Sequence, residues 1–220
     1  MKAVGKFFLI ALVCSLSSCF DIIEDVTFED ANKGKYMLIA NLSQSKMKLK
    51  TILKLDTFMG VNIPSETEIK QTIARVETAI KNTSGVSNFT KTVDFENFIF
   101  NVSFQFDKTE TLNKALNNAA LASSNKNKLP YWNIFSFSNN QFDRNKTPND
   151  SLAKLAAKDK GKLSLISGAN ITSVYKFYTE VKSVSNSKAS VSKNKKAVML
   201  KQSIKDIILN PSLFANTIIL

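Results

Sequence analysis

Between Phe89 and Phe106 the chain is committed to a β-hairpin. Phe98, Phe100, Val102, Phe104 and Phe106 alternate with Ile99, Asn101, Ser103 and Gln105, the period of two that sends every second side chain to one face of a strand. Before them Phe89, Val93 and Phe95 share a parity. With Glu96-Asn97 as the turn, Phe95 opposes Phe98, Val93 opposes Phe100 and Phe89 opposes Phe104, so both strands turn their apolar residues the same way. A slip of one residue would carry the whole set to the solvent side, so the register is strongly specified. An aromatic face of this kind needs a covering layer. Phe100 and Phe104 are expected to lie beneath it, with Asn101 and Ser103 facing out.

The cover is predicted to be the segment Glu66 to Lys81. Ile69, Ile73, Val76 and Ile80 step by four, three and four residues along one helical stripe, and Ser65 with Glu68 forms a capping box at its start. A second hairpin pairs Ile22, Val26 and Phe28 with Tyr36, Leu38, Ala40 and Leu42 across a polar turn ending at Gly34. Residues 45–58 read as a helix closed by Gly60. Thr109 to Ser123 reads as another, with Leu112 and Leu116 inward. Pro130 to Phe137 reads as a strand, 138–147 as a polar loop, and Asp150 or Ser151 as the cap of a short helix. Later strands are expected over 174–184, 189–192 and 197–200, with turns at Ser185-Asn186-Ser187 and Lys193-Asn194-Lys195. A brief helix over 203–209 follows, and the tail Leu213 to Leu220 is too apolar to stay in solvent. Together these elements predict an α+β fold, an antiparallel sheet built from hairpins with several helices packed on one face.

The first residues carry an address. Lys2 and Lys6 precede an apolar run from Phe7 to Leu16, too short for a bilayer crossing, which needs about 20 residues, and laid out as a secretory signal. Leu16-Ser17-Ser18-Cys19 resembles the lipobox of bacterial lipoproteins. The resemblance implies that residues 1–18 are a signal peptide, that Cys19 takes up the lipid anchor, and that residues 19–220 form a single lipid-anchored domain. Acyl chains contribute about 0.8 kcal/mol per buried methylene, so two or three hold a domain on a membrane. Phe20 rather than Asp follows Cys19, which by resemblance to the enterobacterial retention rule points to the outer membrane, on its periplasmic or surface face.

Chemistry is bounded by what the sequence lacks. It contains no His and two Cys, Cys14 and Cys19, which removes Ser-His-Asp and Cys-His catalysis and imidazole or thiolate metal sites. No residue pattern calls for a cofactor or a metal. The acids Asp21, Glu24, Asp25, Glu29 and Asp30 lack calcium-loop spacing. Charge is uneven, residues 146–220 holding 13 Lys+Arg against 4 Asp+Glu. Lys193, Lys195 and Lys196 are the candidate contacts to anionic lipid. Arg75 and Arg144 are the sole arginines, against the Arg-fork habit of nucleic-acid readers, so no nucleic-acid partner is expected.

The segments Asn41-Leu42-Ser43-Gln44-Ser45-Lys46, Ile63-Pro64-Ser65, Val93 to Phe100 and Val181 to Asn186 look like uncharacterised lipoproteins of the Bacteroidetes, especially flavobacteria. The order of an early hairpin, helices, a Phe-rich hairpin and a late strand entering a Val-Ser-Asn turn is similar to the LppM-type lipoprotein domain of actinobacteria. That resemblance implies an α+β module that binds lipid. The C-terminal membrane segment of that group has no counterpart here. Asp150-Ser151-Leu152 looks like the Asp-Ser/Thr-apolar acceptor of Bacteroidetes O-glycosylation, which would place the glycan on Ser151.

The functional expectation is a non-enzymatic, membrane-tethered envelope protein that binds a lipid, an amphiphile or an envelope protein partner. Two alternatives stand beside it. One is a structural or accessory subunit of an outer-membrane assembly. The other is a hydrolase using carboxylates alone, for which Asp94 with Glu96 and Asp21 with Asp25 are the candidate pairs. Tyr131 and Trp132 are the candidate stacking or interfacial aromatics.

Overall fold

A computed structural model describes residues 21–58, 61–124, 126–146 and 168–220. The first hairpin is β1 (Asp21–Phe28) and β2 (Gly34–Asn41), paired antiparallel from Asp21↔Asn41 to Phe28↔Gly34. The Phe-rich hairpin is β5 (Val86–Asp94) and β6 (Ile99–Phe106). Between them lie α1 (Lys46–Ile52), the two-residue strands β3 (Thr57–Phe58) and β4 (Val61–Asn62), and α2 (Glu66–Lys81). After β6 come α3 (Thr109–Ser123), β7 (Phe135–Ser138) and β8 (Gln141–Arg144). The last part holds β9 (Asn170–Lys176), β10 (Ser183–Val184), β11 (Ser190–Val191), β12 (Ala197–Ser203), α4 (Ile204–Leu209) and β13 (Asn216–Ile219).

The fold is α+β, built on an open seven-stranded sheet in the order β11-β12-β9-β1-β2-β6-β5. One buried row crosses five strands: Val198, Tyr175, Val26, Tyr36 and Phe104. On this face pack α2 and α3 and a second sheet, β10-β13-β8-β7. Leu112 and Ala115 of α3 and Ile80 of α2 enter the core. Ile218 and Phe142 enter it from the second sheet, and Phe28, Phe106, Phe137, Phe142 and Phe177 form one aromatic cluster with centroids 4.9–6.2 Å apart. The expected capping box forms: Ser65 Oγ accepts from the Glu68 amide at 3.2 Å and Glu68 Oε2 accepts from the Ser65 amide at 2.7 Å.

Several expectations are corrected. The main sheet is mixed, because β9 enters parallel to β1. The expected 45–58 helix stops at Ile52, and Thr57 already pairs in a strand. The Phe hairpin keeps its register, Val93↔Phe100, but its last pair is Asp94↔Ile99, so the turn spans Phe95 to Phe98 with Phe98 at φ 55°. A bulge at Asn88 and Phe89 sets two residues against Phe104. Phe104 is fully buried, whereas Phe100 is half-buried and meets Phe95 edge-on. Ser103, expected outward, is buried as a small side chain between Met37 and Thr90 on the neighbouring strands.

Residues 130–134 are not a strand, because α3 satisfies this backbone instead. Asn117 receives the Trp132 amide at 2.8 Å and donates to the Trp132 carbonyl at 2.8 Å, while Asn113 does the same for Phe135 at 2.9 and 2.7 Å. The expected loop at 138–147 holds a tight hairpin: Asn139 and Asn140 both take positive φ, 51° and 59°, the requirement of a two-residue type I′ turn. The expected strand over 174–184 divides, its first half in the main sheet and its end, β10, in the second. The apolar tail becomes β13, with Ile218 and Leu220 buried. The proposed cap at Asp150 or Ser151 lies outside the described residues.

Candidate functional site

The chain passes from the main sheet to the second sheet through residues 177–182, and this crossover walls an open groove of about 840 Å³. Backbone hydrogen bonds hold it on two sides. The amides of Phe177 and Val181 donate to the carbonyls of Lys196 and Lys195 at 2.9 and 2.7 Å, and that of Lys182 donates to the Ile219 carbonyl at 2.7 Å. The opposite wall is the β11–β12 turn, closed by the Lys195 amide donating to Ser192 O at 2.9 Å, with Lys195 at φ 54°. Lys193 and Lys195 line the groove with Lys182, whose Nζ donates to the Leu220 carbonyl at 2.9 Å. Tyr178 and Val191 supply exposed apolar surface at 39% and 41%, and Glu180 is the acid on the wall. Such a surface offers several cations next to an aromatic ring and an aliphatic side chain, which matches an anionic headgroup attached to an apolar body.

Of the three lysines expected to act together, Lys193 and Lys195 line the groove. Lys196 is exposed, but its Nζ donates to the Tyr178 carbonyl at 3.2 Å, so it pins the crossover. Lys182 and Tyr178 were not legible as partners, since nothing in the sequence places residues 178–182 against 191–195.

The groove stands at a defined end of the sheet. Asp21 pairs with Asn41 and Asn170, whereas the β11–β12 turn ends at Ala197, which pairs with Lys176 at the far end of β9. The seven steps of β1 from Asp21 to Phe28 measure about 23 Å at the usual strand rise.

A second polar site is buried under the sheet. Glu24 and Arg144 are 5% and 6% exposed, with Arg144 Nε 3.6 Å from Glu24 Oε2. That oxygen also accepts from Ser173 Oγ at 3.0 Å and Tyr175 Oη at 3.3 Å. The guanidinium lies 4.6–5.1 Å from the ring centroids of Phe214, Phe135 and Trp132, a cage that combines burial with cation–π attraction. Burial, reinforced by the Glu24 charge, pushes the hydroxyls of Tyr36 and Tyr175 well above the usual tyrosine range. The arrangement neutralises a buried charge pair and fastens β8 of the second sheet to β1 of the first.

The candidate carboxylates separate. Glu24 faces the core, while Asp25 faces the other side of the sheet and binds Lys176 at 2.6 Å. Asp30 accepts from the amides of Asn32 and Lys33 in its turn, which lowers its pKa. Asp94 likewise accepts from the Asn97 amide and side chain and is lowered, and Glu96 points to Lys46 at 3.8 Å. Among the described residues no group of three or more His, Cys, Asp or Glu is placed to hold a metal ion. Trp132 packs against Arg144, and Tyr131 is exposed. Cys19 and Ser151 lie outside the described residues.

No family model and no curated protein matches the sequence. Among solved structures, the chain is similar to the NMR structure of the folded domain of LppM from Mycobacterium tuberculosis, with a TM-score of 0.40 and 11% identity over 90% of this chain and 86% of that one. No helix among the described residues is long and apolar enough to cross a membrane.

Proposed function

We propose that this chain is a non-enzymatic lipoprotein of the cell envelope, tethered through Cys19, whose basic groove receives the anionic headgroup of a lipid or other amphiphile. The groove carries the reading: Lys193 and Lys195 line it beside exposed Tyr178 and Val191, and Lys182 joins them from the crossover with its Nζ held on the Leu220 carbonyl. Position refines it. A tether at Cys19 holds the Asp21 end of the sheet at the membrane, and the groove opens at the other end, about 23 Å along β1. Its ligand is therefore a separate amphiphile molecule, not the bilayer to which the domain is fixed.

Native mass spectrometry of the protein extracted in mild detergent tests this. A retained anionic lipid, lost in the Lys193→Gln/Lys195→Gln variant, is the expected result. A stoichiometric protein partner without lipid would favour the accessory-subunit reading. Bare protein in both cases would sink both.

A further inference from the structure

The end of the sheet opposite the groove has its own chemistry. Asp21 is paired with Asn41, and from Asn41 the chain enters α1 within a few residues. The Phe95–Phe98 turn stands at the same end and holds α1 there: the Leu42 amide donates to the Phe98 carbonyl at 2.9 Å, and Lys46 Nζ donates to Asn97 Oδ1 at 3.0 Å. From Lys46 to Lys54 the sequence is Lys-Met-Lys-Leu-Lys-Thr-Ile-Leu-Lys, four lysines and no acid. Lys46 is turned toward Glu96, while Lys48, Lys50 and Lys54 are exposed. Leu49, Ile52 and Leu53 are half-buried on the inner side, yet Met47 is 78% exposed and Leu55 43%. On a short helix, residues 47, 50, 51 and 54 share one face. That face therefore presents a bare thioether side chain among cations. Across the sheet at the same end, α4 leaves Leu209 47% exposed.

We infer that α1 with its continuation to Leu55 is the face on which the domain rests on an anionic bilayer, Met47 and Leu55 entering the interface and Lys48, Lys50 and Lys54 meeting the headgroups. Charge and place both argue for this occupant. The segment is basic, and it lies at the end where a chain tethered at Cys19 must sit, since Cys19 is two positions before Asp21 and reaches at most about 7 Å from it. Long lysine stems let their ammonium groups stay in the headgroup layer while apolar neighbours dip below. The inference rests on the Cys19 tether, and it leaves the distal groove free for its ligand.

The test uses the full chain, purified from a bacterial membrane and reconstituted into vesicles of phosphatidylcholine with or without phosphatidylglycerol. Cysteine is introduced as Met47→Cys or, separately, as Ala31→Cys in the exposed β1–β2 turn, at the far end of the sheet and outside the groove. An environment-sensitive thiol label at 47 should be quenched by lipid-borne nitroxide in anionic vesicles, and the label at 31 should not. Lys48→Gln/Lys50→Gln/Lys54→Gln should remove the quenching at 47, since each lysine strengthens attachment about 5-fold at an anionic surface and the three together on the order of 100-fold. Quenching at 31 and not at 47, at both equally, or at neither, overturns the inference. Failure of the tether is read separately: if the parent protein, without an added cysteine and with residues 1–18 and so Cys14 removed, takes up the label, Cys19 carries a free thiol and the anchor itself is wrong.

Discussion

Replacing Arg144 by Met would remove the cation that faces Glu24 while keeping a flexible apolar side chain inside the Trp132, Phe135 and Phe214 cage. The magnitude follows from burial. At 3.6 Å and an effective dielectric constant of about 20, the pair attracts by roughly 4–5 kcal/mol. Desolvation offsets much of that in the intact protein, but once one partner is gone the remaining charge keeps its desolvation cost, and such losses amount to about 3–5 kcal/mol. For a chain of this size that corresponds to a fall in Tm of roughly 6–20 °C. Glu24→Gln in the same background should recover most of the loss, because the amide oxygen can still accept from Ser173 and Tyr175 and no charge remains buried. Urea denaturation of the four proteins of the cycle, followed by Trp132 fluorescence, gives the coupling energy, expected to exceed about 1.5 kcal/mol for groups in direct contact. If Arg144→Met costs under about 1 kcal/mol, or if the two substitutions simply add, the pair does not bind the two sheets together and the reasoning fails.

Phe104→Ala should cost about 3–5 kcal/mol with its cavity, and Phe100→Ala clearly less, because Phe104 is fully buried and Phe100 half-buried; equal losses in urea titrations would contradict the burial difference. Tyr36 and Tyr175 are raised by burial and by the Glu24 charge. Their contribution to stability is therefore complete below the unfolded tyrosine value of about 10 and lost as pH climbs above it. Absorbance titration should show two of the four tyrosines ionising together with unfolding, and smooth ionisation of all four near pH 10 in the folded protein would count against their burial. Cys19→Ser should leave the protein unprocessed or released from membranes, and the parent should incorporate a labelled fatty acid. Detergent-free release of the intact parent would tell against the anchor.

Local periodicity reached far into this fold. Alternation at 22–28, 36–42 and 98–106, the Ser65–Glu68 box and the Thr109–Ser123 helix depend on neighbours within a few residues, so their geometry is written in short stretches of sequence. The β8 strand was legible in principle, since Asn139-Asn140 is a type I′ turn signal, but its four residues carry no clear alternation. What sequence could not supply were contacts between distant segments. Whether Pro130 to Ile134 pairs as a strand depended on where Asn113 and Asn117 of α3 came to rest. Glu24 and Asp25 are adjacent acids with equal claim to a site, and strand parity sends one to Arg144 and the other to Lys176. Parity alone leaves open which face is buried. The candidate groove joins Asn140, residues 178–182, residues 191–195 and Leu220, which meet because β9 lies parallel to β1 and the chain then crosses to the second sheet. Composition and local pattern therefore determined the two early hairpins, the helices over 66–81 and 109–123 and the lysine-rich chemistry. The tertiary structure decided which lysines converge and which end of the sheet each set occupies, because the free energy that brings them together comes from burying the Phe-rich faces and not from the lysines themselves.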